Sequence, residues 1–264
     1  MRHRLRAALI VGISVAAGCT AARPGSLGAP ATLPSAAELE SQLAARHDAV
    51  HSVRALAHLR YRDPEQSGTA REAILVERPD RLRVEVFSLL GSVFLVTTNA
   101  GAITVYARQD NTVYRGAASP ENLARYARVG LPVSDLIDLV LATPAPRPAD
   151  QDRVSFDTVR GAVRLVRTLA DRQQSVWFSP ASLPVAVEER GADGQLAWQA
   201  TFGAYEDHGG VPIATQLNVE LPRWSRSLEL ALRDVDVNPP LDSALFAFHT
   251  PPGSKEVTLE SIAD

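Results

Sequence analysis

The most distinctive reactive side chain is Cys19, the single cysteine of the chain, directly preceded by Ala16, Ala17 and Gly18. A lone thiol forms no internal disulfide framework and no multi-cysteine zinc or iron–sulfur site. It can still be acylated on sulfur, and small residues before it would let a peptidase cut beside the modified position. Other candidates are weaker. His47 and His51 stand four apart, the spacing of half a metal site on a helix, with no further ligand apparent nearby; a solvated helix end is the plainer reading. Asp234-Val235-Asp236-Val237-Asn238 opens like a calcium loop, but Pro239 stands where glycine is required and Leu245 where a bidentate glutamate is required. Glu188 and Glu189 are adjacent, so in a strand they face opposite sides and cannot work as a paired acid and base. G-x-S-x-G, P-loop, G-x-G-x-x-G and H-E-x-x-H patterns are absent. The sequence therefore predicts no enzyme, no cofactor and no bound metal.

The elements around Cys19 give its chemistry a setting. Arg2, Arg4 and Arg6 form a positive start, followed by an apolar run, Ala7–Ala17, too short to span a bilayer but of signal-peptide length. With Cys19 behind it, this segment resembles a bacterial lipobox, with Ala16 where leucine is more usual. The expectation is a signal peptide over residues 1–18 and a lipid on Cys19. Cleavage there removes three arginines, taking the formal charge of the 264-residue chain from −3 to −6. Thr20 follows where an acidic residue would, in well-studied enteric bacteria, favour inner-membrane retention. The expected location is thus the outer membrane, lipid-anchored and facing the periplasm. A net negative chain is no basic nucleic-acid binder, since phosphate neutralisation needs clustered surplus cations. Hydrophobic residues at 45% and charged residues at 22% indicate a chain that buries a core.

Residues 19–34 read as the lipidated cysteine and a flexible linker rich in Ala, Pro, Gly and Ser. Ser35 and Glu38 form a capping box, and Leu39, Leu43 and Val50 continue a helical stripe. From Val53 the period changes to two: Val53, Ala55, Ala57, Leu59 and Tyr61 alternate with Arg54, Leu56, His58, Arg60 and Arg62. That basic face could hold phosphates or an acidic partner, or simply be solvated. Further strands are predicted over 69–78, 81–87, 93–98, 102–107, 112–115, 162–169, 175–178, 184–190, 195–204, 212–221 and 227–237. Between the two groups, Ser119-Pro120-Glu121 opens a short helix and Ser134 can cap a second one carrying Leu136, Ile137, Leu139 and Val140. No long linker or repeat divides residues 35–250, so one domain over 35–264 is expected.

Three stretches carry a family resemblance. Arg81-Leu82-Arg83-Val84-Glu85-Val86-Phe87-Ser88-Leu89-Leu90-Gly91-Ser92 resembles a strand leading into a "PLG" turn, with Leu89 in place of the proline. Val129-Gly130-Leu131-Pro132-Val133-Ser134-Asp135-Leu136 is similar to a "G-x-P-V-x-x-L" helix entry, followed by Thr143-Pro144-Ala145-Pro146. Leu245-Phe246-Ala247-Phe248-His249-Thr250-Pro251-Pro252-Gly253 looks like an "LF-x-F-x-x-P-x-G" close. Together they resemble the LolA/LolB superfamily of lipoprotein carriers and receptors, closest to its LolB-like branch. The branch's usual tryptophan near Leu139 is missing.

The resemblance implies a mainly β chain with helical insertions: a curled antiparallel half-barrel of about eleven strands, covered by helices, with an apolar cavity for acyl chains. Inward candidates are Val84, Val86, Val93, Leu95, Val105, Trp177, Val187, Trp198 and Leu217. A carrier cavity and a filled core share that signature. Leu123, Tyr126, Leu136, Ile137 and Val140 belong to the covering helices. Leu89 and Leu90, at a hairpin tip, either fold under the sheet or project as a membrane-insertion loop. The implied partners are acyl chains of lipoproteins or another lipid, a periplasmic lipoprotein carrier and the outer membrane, for a monomeric protein. The competing expectation is an anchored, non-catalytic scaffold or regulatory module with a packed β core.

Overall fold

Period-two alternation dominates this chain, and each strand built on it must hide one face. The computed structural model of the protein describes residues 30–89, 91–147 and 149–259. Among these residues fourteen strands form one sheet: β1 (Ser52–Arg62), β2 (Ser67–Glu77), β3 (Arg81–Ser88), β4 (Gly91–Asn99), β5 (Ala102–Ala107), β6 (Thr112–Ala117), β7 (Gln151–Asp157), β8 (Ala162–Thr168), β9 (Arg172–Phe178), β10 (Pro184–Gly191), β11 (Leu196–Asp207), β12 (Pro212–Leu221), β13 (Arg226–Val237) and β14 (Lys255–Thr258). Their order is β14-β6-β5-β4-β3-β2-β1-β13-β12-β11-β10-β9-β8-β7. Every neighbour is antiparallel except β14, which runs parallel to β6. The expectation of about eleven strands in a half-barrel is corrected to fourteen in an open curled sheet, because β14 and β7 end it without meeting. These are also the two strands that no sequence pattern marked.

Three helices cover the concave face: α1 (Ala36–Ala49), α2 (Pro120–Tyr126) and α3 (Val133–Val140). The capping box of α1 is formed. The Glu38 carboxylate accepts from the Ser35 backbone N–H at 2.7 Å, and the Ser35 hydroxyl accepts from the Glu38 N–H at 3.2 Å. Ser119 caps α2 with Pro120 in its first turn, and its hydroxyl accepts from the Asn122 N–H at 3.2 Å. α3 starts two residues earlier than expected. Pro132 occupies the cap position in an extended conformation, which places Ser134 inside the first turn. No described helix is long and apolar enough to cross a membrane.

Two apolar clusters lie under this cover. Leu39 and Leu43 of α1 pack on Leu165, Val176, Val187 and Trp198. Leu123 of α2 and Ile137 of α3 join Ile74, Val96, Ile103 and Val105. After β13 the chain crosses the reverse face through a 3-10 turn, Ser243–Phe246, packed on β3 and β4. There the Thr97 hydroxyl donates to the Phe246 carbonyl at 2.9 Å, and the rings of Tyr106 and Phe248 lie 5.3 Å apart. The arginines on the reverse face of β1 meet acids across the strand: Arg54 lies 2.6 Å from Asp236 and Arg60 2.8 Å from Glu229.

Buried ion pairs pin the cover to the sheet. Arg167, fully buried, lies 2.5 Å from Glu40 of α1. Arg78, just after β2, donates to the Asp138 carboxylate of α3, to the Thr143 hydroxyl and to the Val50 carbonyl. Burial pushes the Asp138 carboxyl above the usual range, against the pull of Arg78. Arg78→Ala would strand that carboxylate, so a loss of about 3–5 kcal/mol is expected in urea denaturation. Adding Asp138→Asn should recover part of it, and a loss below about 1 kcal/mol would show that the pair does not clamp α3.

Candidate binding cavity

The concave face is covered unevenly. Over β8–β12 the side chains of α1 fill the trough. Over β1–β6, α2 and α3 roof it without filling it. α2 has seven residues and buries only Leu123 completely. The space left is a cavity of about 670 Å³, within the range of small-molecule sites.

Its wall follows from pleat parity. Ile74 of β2, Val84 and Val86 of β3, Phe94 and Val96 of β4 and Val105 of β5 share one face by register. Leu228 and Leu230 of β13 and Leu217 of β12 complete it from the other side of the seam. Tyr126, Leu136 and Val140 form the roof. The exposed lining residues, Thr69 and Arg125, mark the mouth, with Tyr61 and Arg128 half-buried beside them.

The roof is tied down at the mouth. Arg128 pairs with Asp63 in the β1–β2 turn, and Arg226 donates to the Ala124 carbonyl at 2.8 Å. The Trp224 indole lies so close to Gly130 that an added Cβ would approach it to 2.3 Å. Glycine is needed there for contact rather than for backbone torsion. Tyr114 of β6 and Tyr126 of α2 stack with centroids 5.2 Å apart.

The β3–β4 hairpin turns at this same end of the sheet. Phe87 pairs with Arg71, so Leu89 comes level with Thr69. Leu89 is fully exposed and Phe87 is 40% exposed, which puts an apolar tip at the end where the cavity opens.

One wall residue is charged. Glu72 of β2 is 6% exposed and stands between Ala70 and Ile74, opposite Ala57 and Val86. Burial pushes its carboxyl up to about 7. No hydrogen bond or countercharge reaches it among the described residues.

The expected site residues separate into groups. Val84, Val86, Val105 and Leu217 line the cavity, as do Tyr126, Leu136 and Val140. Leu123 and Ile137 are fully buried between roof and sheet and do not face the space. Val187 and Trp198 lie on the concave face but under α1, in the filled half. Leu95 and Trp177 are corrections: the pleat turns both to the reverse face. Leu95 is in register with Glu85 and Tyr106. Trp177 lies between the guanidinium groups of Arg160 and Arg164, 4.9 and 4.8 Å from its ring, and donates to Asp157 at 2.8 Å. Val93 is also displaced, because a register shift between Val86 and Phe87 takes it out of the wall. Leu90 and Cys19 lie outside the described residues. The sequence reading missed Glu72, Phe94 and Leu230. For Glu72 the signal was a lone charge at an otherwise apolar position of β2.

No protein-family model matches the sequence, and no curated protein does. The fold is nevertheless shared with solved structures. A DUF1329 family protein from Desulfovibrio piger is similar with a TM-score of 0.59 at 16% identity, over 80% of this chain and 95% of that one. A LolA superfamily protein from Nitrosomonas europaea gives 0.55 at 13% identity, over 82% and 99%. A domain assigned to outer-membrane lipoprotein sorting from Vibrio parahaemolyticus gives 0.52 at 15%, over 80% and 97%. At these identities the likeness is one of fold. It agrees with the superfamily that the sequence motifs resemble, and it does not single out the LolB-like branch.

Proposed function

We propose that the protein is an outer-membrane-anchored periplasmic lipoprotein that takes acyl chains into this cavity, receiving lipoproteins or other lipid cargo and passing them to the membrane. The observation that carries the reading is the 670 Å³ apolar cavity, opening at the end of the sheet where Leu89 is exposed. A hydrocarbon chain entering it gains about 0.8 kcal/mol per buried methylene. That gain needs no covalent chemistry, only a donor whose own site holds the chain less tightly. The fold shared with a LolA superfamily protein and with a lipoprotein-sorting domain supports the same assignment. In this reading residues 1–18 are the signal peptide, Cys19 carries the anchor and residues 20–34 are the tether. The fully exposed Leu89, with Leu90 beside it in the sequence, enters the bilayer surface during transfer.

Three outcomes test it. With residues 1–19 exchanged for a signal peptide that is cleaved without lipidation, the protein should move from the membrane to the soluble fraction on cell fractionation; continued membrane retention would remove the anchor from the scheme. Native mass spectrometry of that soluble chain should show co-purified lipid, lost when Val105→Trp fills the cavity while the circular dichroism spectrum stays unchanged. An empty, heat-stable chain would instead favour the packed scaffold. Leu89→Glu should leave melting temperature and lipid content intact but slow lipid transfer to vesicles by roughly tenfold or more, since burying one exposed leucine contributes about 1.5–3 kcal/mol. Unchanged transfer would deny the tip its role.

A further inference from the structure

Burial raises the pKa of four described carboxyl groups, and three of them face arginine. Glu40 meets Arg167, Asp138 meets Arg78, and Glu189 lies 3.3 Å from Arg172 and 3.6 Å from Arg147. Glu72 is the exception, and it is the one carboxyl in the cavity wall. A buried polar group without a partner costs stability that a leucine at the same place would not. A wall built only to hold hydrocarbon has no use for it.

We propose that Glu72, in its protonated form, donates a hydrogen bond to an ester or amide carbonyl of the acyl ligand inside the cavity. This rests on the carrier reading above and adds a polar subsite to it. The position suits a carbonyl near the head of an acyl chain. Glu72 is three residues along β2 from Thr69 at the mouth, about 10 Å at the strand rise. Ile74, Leu82, Val96 and Val105 lie in the wall for the hydrocarbon beyond it.

The surrounding charges argue against a cationic ligand group. On the neighbouring strands Glu72 faces Ala57 and Val86, and β13 contributes Leu228 and Leu230. α3 contributes Leu136, Leu139 and Val140, while its acids Asp135 and Asp138 are engaged by Arg147 and Arg78. The other charged lining residues are Arg125 and Arg128, on α2 and just beyond it, with Arg128 paired to Asp63. The phenols of Tyr61, Tyr114 and Tyr126 complete the polar lining of this region. An ammonium group would need a second acid that the described lining does not offer, Glu72 being its one carboxyl, whereas an ester carries no charge.

The subsite makes binding depend on pH. Glu72 has its midpoint at about 7, so the donor is present at pH 6 and mostly ionised at pH 8. The ionised form cannot donate and resists burial beneath hydrocarbon. Affinity for an ester lipid therefore falls about tenfold from pH 6 to pH 8 if only the protonated form binds.

The test compares a pyrene-labelled diacylglycerol with its dialkyl ether analogue, neither of which titrates. The protein is the chain from Thr20 onward, exported behind a signal peptide that is cleaved without lipidation, and binding is read by pyrene fluorescence. At pH 6 the wild-type cavity should prefer the ester by about fivefold, the effect of one net hydrogen bond. Glu72→Gln, which keeps a donor without a charge, should retain that preference at pH 6 and pH 8. Glu72→Leu should bind ester and ether alike at both. Equal ester-to-ether ratios in wild type and Glu72→Leu, or tighter ester binding at pH 8, would overturn the subsite while leaving the carrier reading in place. Failure of wild type, Glu72→Gln and Glu72→Leu to bind either probe would overturn both.

Discussion

The sheet begins in its own middle, and that forces the rest of the architecture. β1 pairs with β13, so one meander unrolls from the centre and a second returns to it from the far edge. Between them the chain must pass from β6 to β7, across almost the full width of the sheet. α2 and α3 are that passage. A connection that must span a trough has little length left to fill it. The cavity therefore follows from connectivity, with α1 filling the other half.

Holding such a cover in place needs directional contacts, because short helices bury little apolar area. The arginines supply them. Arg78, Arg128, Arg167 and Arg226 each join an element of the cover, or the chain beside it, to a different part of the structure. A planar guanidinium offers several donors in fixed directions, so one side chain can bridge a carboxylate and a carbonyl at once. Arg78 does this between α3 and the end of α1. The same residues could not be placed from sequence, since the partners that tie sheet to cover, Asp138, Asp63, Glu40 and Ala124, lie 60 or more positions from their arginines.

The sheet was largely legible because burial on one face imposes alternation. β1, β5 and β12 read directly from their apolar residues. β7 and β14 were invisible for the converse reason: an edge strand has less to bury, and Gln151-Asp152-Arg153 shows no apolar period. Facing was harder than existence. One residue of register separates the cavity wall from the reverse face, and both faces of this sheet carry buried apolar residues. The C-terminal segment covers part of the reverse face of β3 and β4, so Leu95 there is as hidden as Val96 on the cavity side. Trp177 is hidden by arginines in the same way. Whether apolar residues meet an empty or a filled space is a property of the roof, which local spacing does not encode.

The parallel pairing of β14 with β6 also bears on solubility. An unpaired outer strand is a template for a second molecule, and β6, with Val113 and Tyr114, would be a good one. Four residues led by Lys255 occupy that rim instead, delivered by a strap fastened through Asn111 to the Gly253 carbonyl at 3.0 Å. The last segment of the domain thus works as a sealing strip against self-association. It also leaves the two rims unequal among the described residues: one ends on the four-residue, lysine-led β14, the other on the seven-residue β7 with its polar start.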